Sequence, residues 1–378
     1  QAVPILAGGR MLGRGAGFQV GALHIRTDDK PEASAVATDF SVIRINRDIL
    51  RRSRVGVIAT RRAPGAGAGL ADNYAYGADA SINPMTELSI SGYWAGTQTP
   101  GRAGDAVSYR GRFDWNSDRT GLQADHIYVG QNFNPEVGFM SRLSFRRTSG
   151  EARYSPRPPN IPGVRKLFFE AGVDYYEHAT GYVESREVQG TFRLEFTTTD
   201  QITVEVSDAF ERLVSPFTVA PGVTIPAGDY AFQQARVFLM LSQSRPLSGS
   251  VSVQAGAFYG GTIREVSWRG RVEFSSRLAL EPTISFNHVD TPFGVGDTNL
   301  VGARVTYTLS PKMFVGTLIQ YQSAADTVST NVRFRWEYAP GSDLFVVYSD
   351  GRDTAGSRFP PTLLNRSVVV KATRLLRF

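Results

Sequence analysis

Apolar and polar residues alternate along most of this chain with a period of two. In the stretch Gly261 to Arg277, Val266, Trp268, Val272 and Phe274 fall on even positions. Glu265, Arg269, Arg271 and Glu273 fall on odd ones. Successive side chains of a strand point to opposite faces, so this spacing predicts a strand with one apolar and one charged face. The pattern returns at Arg333, Arg335 and Glu337 against Val332, Phe334, Trp336 and Tyr338. It returns again at Arg193 and Glu195 against Phe192, Leu194 and Phe196, and at Arg110, Arg112 and Asp114 against Tyr109, Gly111, Phe113 and Trp115. About twenty such segments follow one another with no helical period between them.

The connections have two lengths. Asn83-Pro84-Met85-Thr86, Asn116-Ser117-Asp118-Arg119, Thr199-Asp200, Ser310-Pro311 and Ala339-Pro340-Gly341-Ser342 read as short turns. Asp28 to Ala37, Leu213 to Asp229, Asp290 to Thr298 and Asp350 to Leu364 read as long connections, and Gly65 to Gly69 as a flexible Gly-Ala loop. Pro156, Pro158, Pro159 and Pro162 end the strand that reaches Tyr154, because proline cannot serve a central ladder. Alternating short turns and long loops belong to a membrane barrel whose apolar face meets lipid and whose charged face lines a lumen. The expected fold is therefore all-β: a large antiparallel transmembrane outer-membrane β-barrel, one domain over residues 1–378, with about 21 strands in this chain. The expected lumen-facing charges are Arg110, Arg112, Asp114, Arg193, Glu195, Glu265, Arg269, Arg271, Glu273, Arg333, Arg335 and Glu337.

Bacterial single-chain barrels prefer an even count with both termini in the periplasm, and 21 is odd. The expectation is that strands upstream of Gln1 complete a barrel of about 22 to 26 strands. Gln1-Ala2-Val3-Pro4-Ile5 lacks the basic region and apolar core of a signal peptide, which suits a mature form or a fragment. At the other end, Val368, Val370, Ala372, Leu376 and Phe378 share one parity. An apolar final strand ending in an aromatic is the form that outer-membrane assembly recognises, and it places the C-terminus in the periplasm. Arg374 interrupts that parity, at a depth where its long side chain can snorkel to the interface.

Composition adds constraints. The hydrophobic fraction is 42%, with no run of eighteen apolar residues, so helical spans are excluded while strand spans are not. The 38 glycines suit tight turns, and the 23 phenylalanines and 15 tyrosines suit interfacial girdles. The absence of cysteine removes disulfide and thiolate chemistry. A net charge of +6 is spread over many strands rather than gathered into a patch, which argues against nucleic acid as a partner.

Enzyme chemistry finds little support. His24, His126, His178 and His288 lie on separate elements without ligand spacing. No G-x-S-x-G elbow is present, and the Gly65 to Gly69 loop lacks a phosphate loop's lysine. No catalytic, cofactor or metal residue is assigned. Asp125, Glu170, Asp174, Glu205, Glu265, Glu273 and Glu337 share faces with arginines, as a hydrated wall or a salt-bridged interior would require.

Three segments carry a resemblance. Val3-Pro4-Ile5-Leu6-Ala7-Gly8-Gly9-Arg10-Met11-Leu12-Gly13-Arg14 resembles part of a family of large bacterial proteins of unknown function. Its members carry an N-terminal domain similar to family 9 carbohydrate-binding modules ahead of a long barrel-like region. Phe133-Asn134-Pro135-Glu136-Val137-Gly138-Phe139-Met140 with Arg146-Arg147, and Leu344 to Asp350 with Asn365-Arg366-Ser367 and Phe378, resemble other parts of that region. The resemblance implies further strands and a periplasmic module upstream. It brings no catalytic residues, and its carbohydrate-binding label belongs to a domain outside this chain.

Three functions stay open: an outer-membrane channel or transport-associated barrel for a polar solute, a structural barrel that anchors a periplasmic module or envelope complex, and an outer-membrane hydrolase. The partners implied are outer-membrane lipid and lipopolysaccharide, with a plug, a periplasmic module or an envelope protein.

Overall fold

The computed structural model describes residues 3–65, 69, 71–356 and 360–375. The chain forms two compact units, Gln1–Ser155 with Glu170–Val188, and Pro156–Phe169 with Gln189–Phe378. The first unit holds β1 (Ile5–Gly15), β2 (Phe18–Thr27), β3 (Thr38–Ile49), β4 (Ser53–Pro64), β5 (Asn73–Met85), β6 (Leu88–Gln98), β7 (Val107–Asn116), β8 (Thr120–Val129) and β9 (Phe145–Tyr154). Strands β10 (Val164–His178) and β11 (Val183–Phe196) give residues to both units. The second unit continues with β12 (Gln201–Leu213), β13 (Phe217–Ala220), β14 (Val223–Ile225), β15 (Gly228–Leu241), β16 (Leu247–Phe258), β17 (Gly261–Ser275) and β18 (Leu278–Thr291). It ends with β19 (Gly294–Ser310), β20 (Met313–Gln322), β21 (Thr327–Ala339), β22 (Ser342–Asp353) and β23 (Thr362–Ala372).

All strands but β13 and β14 belong to a single 21-stranded sheet. Within each unit, strands neighbouring in sequence pair antiparallel, as in β1 with β2 and β8 with β9, or β12 with β15 and β22 with β23. Among the described residues the only helices are 3-10 turns at Pro31–Ala33 and Ser323–Ala325, and no helix is long and apolar enough to cross a membrane. A chain that alternates every second residue can bury one face only by pairing edge to edge, so the ladder simply extends. This all-β architecture fits the large outer-membrane barrel that the alternation predicts, and the sheet has the expected 21 strands.

Because the sheet is a single layer, its apolar core is small and lies where loops fold back. In the first unit Val129, Phe133 and Phe145 form one buried cluster. In the second, Ala220, Val223, Ile225 and Tyr259 form another.

Three details depart from the sequence reading. The connection Leu213 to Asp229 contains a small hairpin, β13 with β14, because Val219, Val223 and Ile225 find an apolar surface to pack against. The stretch Asp290 to Thr298 is no long connection: β18 and β19 stay paired through Thr291↔Gly294. Gly294 takes φ +141 in the tight turn, a conformation a side chain would resist. The connection read as Asp350 to Leu364 is shorter, because β22 runs on to Asp353 and the last strand, Thr362–Ala372, begins before its end. Leu376 and Phe378 lie outside the described residues, as do residues 66–68 of the Gly-Ala loop.

Candidate functional site: the polar face of the sheet

In the first unit the register joins Asp48, Arg54, Ser81, Ser91, Arg112, Asp125 and Ser149 into one cross-strand row from β3 to β9. The adjacent row, Arg47, Val55, Ala80, Gly92, Gly111, His126 and Thr148, lies on the opposite face. Charges on the first face meet one another. Arg44 pairs with Asp79 at 2.5 Å, Arg54 with Asp48 at 2.9 Å, Arg112 with Asp114 at 3.0 Å and Arg147 with Asp174 at 2.7 Å. Arg110 Nε donates to Asp125 Oδ1 at 3.0 Å, and Asp125 is only 4% exposed, so this pair fixes a buried carboxylate. Gly56 leaves space for the Arg44 pair: a Cβ there would stand 2.6 Å from the Arg44 guanidinium.

Residues 130–144 fold onto this same face. Phe133 packs beside Val129, Phe145, Ala95 and Ile127. Asn73 Nδ2 donates to the Asn134 carbonyl at 2.8 Å, the Asn134 N–H donates to Thr97 Oγ1 at 3.0 Å, and Arg62 pairs with Glu136 at 2.7 Å. The Phe133 to Met140 segment singled out in the sequence is thus a strap anchored to β4, β5 and β6 by polar side chains.

In the second unit the register builds a longer row across ten strands: Gln201, Met240, Ser250, Arg269, Thr283, Gly302, Gln320, Ser329, Gly351 and Asn365. The next row is its opposite in chemistry: Ile202, Leu239, Val251, Trp268, Ile284, Val301, Tyr321 and Val328. On the polar side Arg271 bridges Glu273 at 2.8 Å and Glu281 at 2.6 Å, and Arg335 pairs with Asp343 at 2.9 Å. Two depressions mark this face. One of about 320 Å³ lies among Thr203, Glu205, Arg236, Phe238, Glu265 and Arg269. The other, about 650 Å³, shares Phe238, Ser250 and Arg269 with it and reaches Arg271, Glu273 and Glu281.

The β13–β14 hairpin also folds onto the polar parity. A Cβ on Gly296 would come within 2.8 Å of Ala220 and 2.9 Å of Val223, so glycine permits the close approach. Tyr230, Phe232, Phe258 and Tyr259 complete the apolar cluster beneath the hairpin. Tyr259 holds φ +45 in the turn between β16 and β17, and its hydroxyl donates to Glu211. Burial, then that bond, raises the pKa of its phenol well above the ordinary value. In the turn between β11 and β12, Asp200 is held below the usual carboxylate range by the Ser242 N–H, then by Thr198 and Arg245.

The structure thus brings Arg110, Arg112 and Asp114 together on one face of the first unit. Glu265, Arg269, Arg271, Glu273, Arg333, Arg335 and Glu337 share one face of the second. Arg193 stacks over Phe168 at 4.0 Å, and Glu195 pairs with Arg165 at 3.0 Å. Glu337 does more than line the wall, accepting the Gly341 N–H at 3.1 Å and so closing a turn. Sequence reasoning missed Arg44, Asp79 and the Asn73 anchor. Arg44 sits in β3, where Arg47 falls on the parity of Ile43 and Ile45 and breaks the alternation, Asp79 sits in β5, where alanine and glycine dilute it, and Asn73 has no signal in sequence at all. Among the described residues no group of three or more His, Cys, Asp or Glu could hold a metal ion.

No protein-family model matches the sequence, and no curated protein matches it. Solved structures similar to the chain include the ferric-catecholate import receptor Fiu from E. coli K12, with 6% identity and a TM-score of 0.37 over 98% of this chain and 74% of that one. BauA, the ferric preacinetobactin receptor from Acinetobacter baumannii, has 9% identity and a TM-score of 0.44 over 97% and 77%. The siderophore receptor PiuA from the same organism has 7% identity and a TM-score of 0.36 over 97% and 72%. These likenesses are too distant to carry a function across.

Proposed function

We propose that this chain is the wall of an outer-membrane channel or transport-associated barrel for a polar solute. The observation that supports it is the ten-strand row from Gln201 to Asn365 set beside the apolar row from Ile202 to Val328. Such a sheet needs lipid on one side and water on the other. An arginine at the bilayer midplane costs about 2–4 kcal/mol, and reversing the faces would expose many. The folded strap at residues 130–144 and the β13–β14 hairpin would narrow the passage rather than fill it with apolar core. The outer membrane is then the location, with lipid and lipopolysaccharide against the apolar face.

The proposal extends to the barrel's edges. Every residue of β1 and of β23 is exposed. A strand edge inside a membrane leaves N–H and C=O groups unsatisfied at several kcal/mol each, so further strands alongside these edges suit the reading. A module ahead of them, as the family resemblance implies, would make the protein larger than this chain.

Full-length protein in planar bilayers tests the function. Discrete conductance steps are expected, and replacing Arg269, Arg271 and Glu273 together by glutamine should change ion selectivity. A folded protein without conductance, its interior filled by protein, would reject the channel and leave the anchoring barrel.

A further inference from the structure

We propose that the depression between Glu205, Glu265 and Arg269 is a binding subsite for a short zwitterionic peptide. The peptide's ammonium group sits against the two carboxylates, and its carboxylate sits on Arg269. The proposal rests on the reading of the polar face as a water-accessible wall.

Glu205, Arg236, Gln254 and Glu265 are direct cross-strand neighbours in one row over β12, β15, β16 and β17. Arg236 lies between the carboxylates, yet its Nε donates to Gln254 Oε1 at 2.9 Å. Among the described residues, the side chains of Glu205, Glu265 and Arg269 have no ion-pair or hydrogen-bond partner. Close by on the same face, Arg271 is neutralised by Glu273 and Glu281. Unmatched charges of both signs thus meet in one depression of about 320 Å³.

Charge balance then selects the ligand. Two carboxylates and two guanidinium groups line the depression, so an ion of one sign meets repulsion as well as attraction. A molecule with both signs at its ends satisfies each group through charge-assisted hydrogen bonds. A neutral polyol leaves the charges uncompensated.

Spacing sets the length. Glu265 and Arg269 are four positions apart on β17, which at about 3.3 Å per residue puts their Cα atoms about 13 Å apart. An extended chain of three or four residues spans about 10–13 Å. Phe238, Ser252 and Ser267 lie in the row between, offering an apolar ring and hydroxyls to the peptide's middle. The adjoining depression of about 650 Å³ gives side chains room.

Calorimetry on the full-length protein in detergent, with triglycine as the probe, tests this. Triglycine should bind, and its N-acetylated, C-amidated form should bind at least about tenfold more weakly. The double variant Glu205→Gln/Glu265→Gln and the single variant Arg269→Gln should each weaken triglycine about tenfold, while Lys312→Gln, in a turn, should not. Equal binding of the capped peptide, undiminished binding by the folded variants, or a neutral disaccharide that outcompetes triglycine would each overturn the proposal. Conductance measured in parallel separates the two readings. Conductance without triglycine binding removes this subsite alone, and binding without conductance removes the channel alone.

Discussion

The Tyr259 hydroxyl donates to the Glu211 carboxylate, and this bond ties the turn after β16 to β12 beneath the β13–β14 hairpin. Tyr259 is 3% exposed and holds φ +45, a backbone state a bulky residue keeps only when its surroundings demand it. The hairpin's position on the polar face therefore depends on one phenol remaining protonated.

That dependence has a sign. The folded phenol titrates above the value of about 10 expected in an unfolded chain. Its contribution is full below about pH 10 and is lost as pH rises through the folded value. Phenolate absorbance during an alkaline titration should show a late-titrating group that is missing in Tyr259→Phe. The variant should also make the hairpin more sensitive to protease at neutral pH. An identical titration curve would remove the claim.

Two glycines of the first unit should respond differently to alanine. At Gly56 the new methyl meets the ends of Arg44 and Asn46, which can swing away. The loss is then about that of a part-exposed ion pair, about 0.2–1 kcal/mol. At Gly92 it meets the Arg110 backbone carbonyl at 2.6 Å, so the ladder itself must shift. There the cost should be about 1–3 kcal/mol, as for overpacking. Urea unfolding in detergent compares them, and equal losses would contradict this assignment.

Asn73 should control the strap of residues 130–144. It is 1% exposed, donates to the Asn134 carbonyl and to Thr99, and accepts the Glu136 N–H at 3.3 Å. Asn73→Ala leaves buried groups unpaired, at about 1–3 kcal/mol each. Faster proteolysis within residues 130–144 and larger conductance steps are expected.

The Asp200 turn should loosen in acid. A carboxylate whose folded value lies below the unfolded one stabilises the fold above the unfolded value of about 3.9 and loses that effect as pH falls through the folded value. Protection of the Ser242 amide from exchange, relative to its intrinsic rate at each pH, should fall over that window, since its N–H donates to Asp200 at 2.8 Å. In Asp200→Asn the protection should be lower at neutral pH and should not change across that window.

Single cysteines at positions 271 and 272 decide the orientation of the faces. A label replacing Val272 should be quenched from the lipid phase, and one replacing Arg271 from water. The reverse result would remove the barrel reading, because Arg271, Arg269 and Arg333 would then stand in hydrocarbon.

Alternation alone determined the fold class and the composition of the two faces. A period of two allows only one way to segregate Trp268 and Val272 from Arg269 and Arg271, whatever lies beside the strand. The strand number was legible for the same reason, since each turn interrupts the period. Only the tertiary structure decided which charges meet. Arg110 reaches Asp125 diagonally across a ladder, while Glu205 stays apart from the Arg236 directly opposite, and register and side-chain competition set both outcomes. The fate of the loops was equally hidden. Whether Phe133 or Val223 faces solvent or folds onto the polar wall depends on an apolar surface assembled from several strands, Ala95, Ile127 and Phe145 in one unit and Phe232, Phe258 and Tyr259 in the other. No local period encodes such a surface, because its members come together only when the sheet has formed.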